Sequence, residues 1–350
     1  MKKVAIIGAF GKGQNLLNGQ TVKTKIVTAE IEHQLGLSEV ISIDLFGRLN
    51  NVLCMIRSIC ALVKCKNLII MPAQNALKVL APWVSMWNSL FHRRLHYVVI
   101  GGWLPEYLDK HSVTLKSLCC FDGIYVETAI MKRVLEKRGL NNVYVLPNCK
   151  NLQITNIEET TNIQEEPFTL VTFSRVMKEK GIEDAICATE LANKKIGKPV
   201  FKLEIYGQVD GEQTQWFEEI STKYKLDSSN SCCRYMGKVP YDKSTEVLYK
   251  SYALLFPTYY EGEGFAGTII DAYAAGIPVI ASDWRYNTET VIDGVTGKVY
   301  PTHDTEAFTN AIVWAYEHQS EWNGLKAKCI QEAEKYLPKN VVTSLIKALN

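Results

Sequence analysis

The chain has 350 residues, with 39 Lys and Arg against 37 Asp and Glu and a net charge of +2. Single cores stop growing near about 250–300 residues, so this length implies two domains; the balanced charge argues against a dedicated nucleic-acid binder, which concentrates basic residues on one face. No apolar run approaches the roughly 18 residues of a membrane-spanning helix, and ten cysteines with no Cys-x-x-Cys spacing and no secretory leader suggest a reducing cytoplasm, neither a disulfide framework nor a zinc site.

In chain order, Val4 to Gly8 reads as a first strand entering a loop, Ala9 to Asn15, with glycines at 8, 11 and 13. That spacing is not the dinucleotide fingerprint. A polar stretch from Asn18 to Thr24 leads into a helix predicted from about Thr24 to Leu35. Val40–Asp44 and Asn67–Pro72 read as strands around a helix from about Asn50 to Lys64. Further strands follow at His96–Gly102, Asp122–Val126 and Val143–Asn148, and such alternation means a parallel sheet wrapped by helices over residues 1–150. Leu80, Trp83, Val84, Trp87, Leu90 and Phe91 line one helical face ahead of His92-Arg93-Arg94. A stripe of this kind is usually core; its alternative is a membrane-surface helix whose arginines meet anionic lipid. Residues 151–167 are polar, acidic and unpatterned, which marks a linker. A second alternation starts at Phe168–Phe173, continues through Phe201–Gly207 and fills residues 168–337, and the tail from Asp304 is helical with a break at Leu337-Pro338.

The most specific stretch is residues 257–294. Tyr252–Phe256 is a short buried strand stopped by Pro257, Glu261 to Gly267 is a loop with three glycines, and Thr268 to Ala275 is a helix ended by Gly276 before the strand Val279-Ile280-Ala281. A loop between a strand's carboxyl end and a helix's amino end is where open α/β sheets bind ligands. The backbone N–H groups of Gly264, Phe265, Ala266, Gly267 and Thr268 favour an anion there. Glu263 and Asp271, with seven residues between them, suit hydrogen bonds from sugar hydroxyls, a ribose and a transferred hexose. The other reading makes Glu263 a solvated loop acid and Asp271 a helix-start stabiliser.

This pattern resembles the acidic signature of the family-four retaining glycosyltransferases, in which Glu, seven residues and a second Glu follow each other with glycine and phenylalanine directly after the first acid. Glu263-Gly264-Phe265 matches, Asp271 stands at the second acid, and the likeness continues through Gly276 to Ser282, Glu289-Thr290-Val291 and Gly294 to Gly297. The resemblance implies the GT-B fold: two Rossmann-like domains with parallel sheets facing a central cleft, the last helix, about 338–350, rejoining the first domain. It also implies that Arg175 and Lys180, in Ser174 to Ile182, clamp the donor diphosphate, and that the backbone near Gly207 and at Lys238-Val239 holds the nucleobase unless these are mere turns. By the same resemblance the first loop, with Gly11 and Gly13, borders donor phosphate and acceptor, as do Gln20 and Thr21. Where relatives carry a cleft histidine, this chain has Gly102-Trp103 and Glu106. Asp271 for Glu leaves the ribose contact one methylene short.

The expected activity is therefore metal-independent, cofactor-free, retaining transfer of a hexose from a nucleotide-diphosphate sugar to a saccharide or polyprenyl-linked acceptor, with Glu263, Arg175 and Lys180 catalytic. The expected setting is surface-polysaccharide synthesis in the cytoplasm or at the inner face of the plasma membrane. Two rivals are a sugar-nucleotide-binding partner without turnover and a nicotinamide oxidoreductase, the latter opposed by the missing fingerprint and ribose acid.

Overall fold

A computed structural model of the chain describes residues 1–11, 19–45, 48–156, 165–240 and 243–350, so Gly13 and the middle of the expected linker, 157–164, lie outside the described residues. The chain divides into two compact units, residues 1–151 with 336–350, and residues 152–335. Each unit holds a six-stranded sheet, and every strand pair is parallel.

The first sheet has the order β2-β1-β3-β4-β5-β6, built from β1 (Lys2–Gly8), β2 (Val40–Asp44), β3 (Cys65–Met71), β4 (Arg94–Val98), β5 (Gly123–Val126) and β6 (Val143–Val145). Runs such as Val4-Ala5-Ile6-Ile7 are wholly buried, as strands covered on both faces must be. The crossovers are α1 (Gly19–Leu35), α2 (Arg48–Lys64), α3 (Gln74–Phe91), the pair α4 (Leu104–Asp109) and α5 (Ser112–Leu118), and α6 (Ala129–Glu136). The chain steps one way from β1 to β2 and the other way at every later crossover. Right-handed connections therefore put α1 on one face of the sheet and α2, α3 and α5 on the opposite face.

The second sheet has the order β12-β11-β10-β7-β8-β9, with β7 (Phe168–Phe173), β8 (Phe201–Tyr206), β9 (Cys233–Gly237), β10 (Ala253–Phe256), β11 (Val279–Ser282) and β12 (Gly297–Tyr300). Its helices are α7 (Ile182–Ile196), α8 (Thr214–Tyr224), α9 (Ser244–Leu248), α10 (Gly267–Ala274), α11 (Asn287–Thr290), α12 (Thr305–Glu317) and α13 (Gln319–Glu334). The chain then returns to the first unit as α14 (Pro338–Val341) and α15 (Thr343–Leu349). There Val341, Val342, Leu345 and Leu349 join Ile26, Val27 and Ile31 of α1 in one core, and Asn67 Nδ2 donates to Lys3 O at 3.0 Å and Leu349 O at 2.9 Å.

Several sequence expectations shift. The first helix begins at Gly19, five residues before the predicted start at Thr24, because the face it buries carries Thr21, Lys23, Thr24 and Thr28 where aliphatics would have signalled a helix. Lys23 is tolerated there by its pair with Glu127, 2.6 Å away and equally buried. The strand expected over His96–Gly102 stops at Val98, since Gly101 turns left-handed at φ 88°. Residues 152–156 lie on the second unit, Thr155 N–H donating to Ala274 O at 2.9 Å. Of the aromatic stripe on α3, Leu80 and Val84 are core while Trp83 and Trp87 are half-buried and meet edge to face at 5.8 Å. Among the described residues, no helix is long and apolar enough to cross a membrane.

His96 on β4 is 1% exposed, and burial pushes its pKa down to about 4 from 6.5. Between those values the unfolded chain takes up a proton that the folded chain refuses, so stability is full above pH 6.5 and falls as pH drops toward 4. The loss by pH 5 should be about 2 kcal/mol. Urea unfolding at pH 7 and pH 5 checks this: His96→Gln should flatten the pH slope, and an unchanged slope rejects the assignment.

Candidate active site of the second unit

β7 and β10 are sheet neighbours, but the chain leaves β7 toward β8 and β10 toward β11, in opposite directions. The loops at their carboxyl ends consequently diverge and leave a crevice at this switch point. Two segments line it, Ser174–Gly181 after β7 and Thr258–Gly267 after β10.

Lys180 closes a short 3-10 turn, and Gly181 behind it is left-handed at φ 68°. A Cβ on Gly181 would lie 2.3 Å from Pro257 O, so only glycine lets the two loops approach this closely. The approach brings Lys180 Nζ onto Glu263 Oε2 as an ion pair with side chains 11% and 10% exposed. Glu263 Oε2 also accepts from Thr258 Oγ1 at 3.0 Å, and Thr258 is held through its carbonyl by Ser282 Oγ at 2.6 Å. Lys180 Nζ stands 5.1 Å from the ring centre of Tyr260. Nearby, burial and the Asp184 and Glu179 carboxylates push the Tyr259 phenol up to about 12, which keeps it a neutral donor.

Arg175 behaves differently from Lys180. Its Nη1 donates to Asp210 Oδ2 at 3.1 Å, its guanidinium lies 5.7 Å from the Tyr260 ring centre, and half its side chain, 51%, is exposed. The two cations expected to clamp a diphosphate thus differ: Lys180 is sequestered against Glu263, whereas Arg175, paired with Asp210, is half exposed. The reason is backbone placement, since Val176 bridges Val209 at the sheet's end and leaves Arg175 on its rim.

Gly207 directly follows β8 at φ 142°, and a Cβ there would fall 1.7 Å from Ser174 O. Its role is this close approach, which fixes where the β7 loop leaves the sheet; Tyr235 O–H donates to its carbonyl at 2.8 Å. Gly237 turns left-handed at φ 79°, and Lys238 is exposed and Val239 half-buried beyond it. At α10, Gly264, Phe265 and Ala266 are buried, and the Thr268 hydroxyl donates to Phe173 O at 2.7 Å, committing that side chain to β7. Asp271, one turn into α10, is 4% exposed. The helix ends in a Schellman motif: Ile277 N–H reaches Ala272 O at 2.8 Å, and Gly276 N–H reaches Tyr273 O at 2.9 Å, with Gly276 at φ 69°.

In the first unit the switch point lies between β1 and β3, and Gly11 sits in the loop after β1, left-handed at φ 59°. Gln20 and Thr21, expected in that loop, belong to α1, and Thr21 is 1% exposed. After β4, Gly102 is buried, Trp103 Nε1 is turned back onto Ile100 O at 2.8 Å, and Glu106 is exposed on α4. Sequence reasoning missed Thr258, Asp210 and Gly181; a glycine directly after Lys180 was the one local signal available. Among the described residues, no group of three His, Cys, Asp or Glu side chains could hold a metal ion.

The chain is 26% identical over 230 residues to the GtfA subunit of the UDP-N-acetylglucosamine–peptide N-acetylglucosaminyltransferase of Streptococcus gordonii, covering 63% of this chain and 43% of that one. It is 32% identical over 97 residues to the D-rhamnosyltransferase WbpZ of Pseudomonas aeruginosa, covering 27% of this chain and 26% of that one. The chain thus spans less than half the length of these curated relatives. In fold it is similar to Anabaena Alr3699/HepE, solved in complex with UDP, with a TM-score of 0.76, 16% identity and coverage of 100% and 99%. It is also similar to the GtfA/B complex, with a TM-score of 0.67, 20% identity and coverage of 86% and 60%. The two parallel sheets are those of the GT-B fold. The model of the family described as glycosyl transferases group 1 matches residues 153–336, more than half of the 350 residues, and the chain belongs to that family.

Proposed function

We propose that the chain is a retaining glycosyltransferase of the family-four type, moving a hexose from a nucleoside-diphosphate sugar to a saccharide or polyprenyl-linked acceptor in the cytoplasmic assembly of a bacterial surface polysaccharide such as capsule, exopolysaccharide or lipopolysaccharide. The observation that carries this reading is the sequestered Lys180–Glu263 pair beside the start of α10, at the switch point of the second sheet. The relatives whose names or complexes mention UDP make uridine the base to test first.

In this reading Arg175 and Lys180 neutralise the diphosphate as the bond from the sugar C1 to its oxygen breaks, with no metal or cofactor required. The acceptor oxygen bonds to C1 on the face the diphosphate leaves, and its proton passes to a leaving phosphate oxygen. Glu263 stabilises the positive charge that grows on the sugar, and releases Lys180 toward the diphosphate when donor binds. Gly264 to Thr268 offer backbone N–H groups to the phosphates, Asp271 accepts from the ribose, and Gly207, Lys238 and Val239 border the base. Gly11 on the donor side, and Gly13, Gln20, Gly102, Trp103 and Glu106 on the acceptor side, are assigned by resemblance. Buried Thr21 serves only through its backbone.

Thermal shifts with uridine, guanosine, adenosine and thymidine diphosphate sugars, followed by assay of nucleoside diphosphate release, test the reading. One donor should stabilise the fold and be turned over. Binding without release would assign the chain to a non-catalytic partner role, and binding of none would reject it. Asp271→Asn should weaken affinity for the free nucleoside diphosphate by roughly 1–3 kcal/mol, read by calorimetry; Asp271→Glu should retain most affinity. Normal affinity in Asp271→Asn would remove the ribose contact.

A further inference from the structure

We propose that the outer face of α2 and α3 in the first unit docks on an anionic membrane surface. On α2, Leu53, Ile56, Cys60 and Val63 are exposed at spacings of three and four, so they form one stripe. It lies opposite the buried Cys54, Ser58, Ala61 and Leu62. On α3, Val79, Met86 and Leu90 are 56%, 57% and 68% exposed, opposite the buried Leu77, Leu80, Ala81 and Val84. The two helices lie side by side: Trp83 Nε1 donates to Met55 O at 3.2 Å and to Ser58 Oγ at 3.1 Å, and Arg93 Nε donates to Leu62 O at 2.9 Å. Both stripes point away from the sheet, and α5, held to α3 by Ser85 Oγ on Ser117 O, adds exposed Val113.

Charge decides the occupant. Residues 45–105 contain no Asp or Glu, but carry Arg48, Arg57, Lys64, Lys66, Lys78, Arg93 and Arg94, leaving the rest of the chain net acidic. Exposed Arg57 and Lys64 border the α2 stripe, and exposed Lys78 borders that of α3. Apolar side chains framed by cations fit a bilayer surface, where the former enter the headgroup boundary and the latter meet anionic lipid. A second copy packed face to face would set cations against cations, and a nucleic acid would leave the apolar centre unused. The aromatic stripe considered from sequence shares only Leu90 with this face, and Leu80 and Val84 in it are core.

The test is co-sedimentation with vesicles of equal parts phosphatidylglycerol and phosphatidylcholine against pure phosphatidylcholine. The protein should partition onto the anionic vesicles at least about tenfold better, and moderate salt should erase the difference. Ile56→Glu with Met86→Glu, and separately Arg57→Glu with Lys64→Glu, should bring binding down to the phosphatidylcholine level. Unchanged melting curves would show that these exposed substitutions leave the fold intact. Equal sedimentation with both vesicles, or unimpaired binding by either double variant, overturns the proposal, and a concentration-dependent dimer abolished by Ile56→Glu with Met86→Glu would reassign the face to self-association. Vesicle binding is read without donor or acceptor, so it can fail while sugar transfer stands, and the reverse.

Discussion

In the proposed mechanism Lys180 faces the developing diphosphate charge in a sequestered site, so Lys180→Ala should lower turnover by about 2–4 kcal/mol in transition-state terms, roughly thirtyfold to a thousandfold. It should also destabilise the second unit, since Glu263 would be left 8% exposed without its partner, and breaking a buried pair costs about 3–5 kcal/mol. Glu263→Gln keeps the shape and the Thr258 contact, so turnover should fall far more than donor affinity. The two effects separate in the double variant Lys180→Met with Glu263→Gln. With both charges gone, the melting temperature should recover toward the parent while turnover stays low. The measurement is calorimetric donor affinity, turnover and unfolding for all three variants; a double variant with parental turnover would make the pair purely structural and sink its catalytic assignment.

Gly207→Ala should be the most damaging single methyl group at this end of the sheet. The Cβ would meet Ser174 O at 1.7 Å in a backbone at φ 142°, a region that L side chains rarely adopt. Relief requires β8 to separate from the β7 loop, at a stability loss of about 2–4 kcal/mol. Because that loop carries Arg175 and Lys180, donor affinity should drop as well, although alanine brings no charge and touches no substrate. Denaturant unfolding alongside donor calorimetry reads both. Parental stability would show that the close approach of Gly207 to Ser174 is not a constraint on this fold.

The strands were the most legible part of the chain. Phe168–Phe173 and Val40–Asp44 have the bounds their apolar runs predict, because strands covered on both faces leave little room for polar residues. Helix α10 was legible through Gly276, whose left-handed turn closes it. The start of α1 was not, because Thr21, Lys23 and Thr24 are buried there and polar residues at core positions break the period a reader looks for. At the site, the residue types were legible and their pairing was not. Lys180 and Glu263 are 83 positions apart, and Arg175 and Asp210 are 35 apart. No local pattern says that one cation meets a carboxylate in the interior while its neighbour stays on the rim. That division follows from the crossing of two loops, which Gly181 permits.

The return of α14 and α15 to the first unit also sets an order of events during synthesis. Residues 152–335 form one uninterrupted unit, so the second unit can close as soon as its own chain has emerged from the ribosome. The first unit emerges earlier yet cannot finish, since Val341, Val342, Leu345 and Leu349 belong to its core and Leu349 O accepts from Asn67 beneath them. Its apolar α1 face must therefore wait, uncovered, through the translation of more than half the chain, which makes the half made first the last to mature and the half most dependent on protection by chaperones.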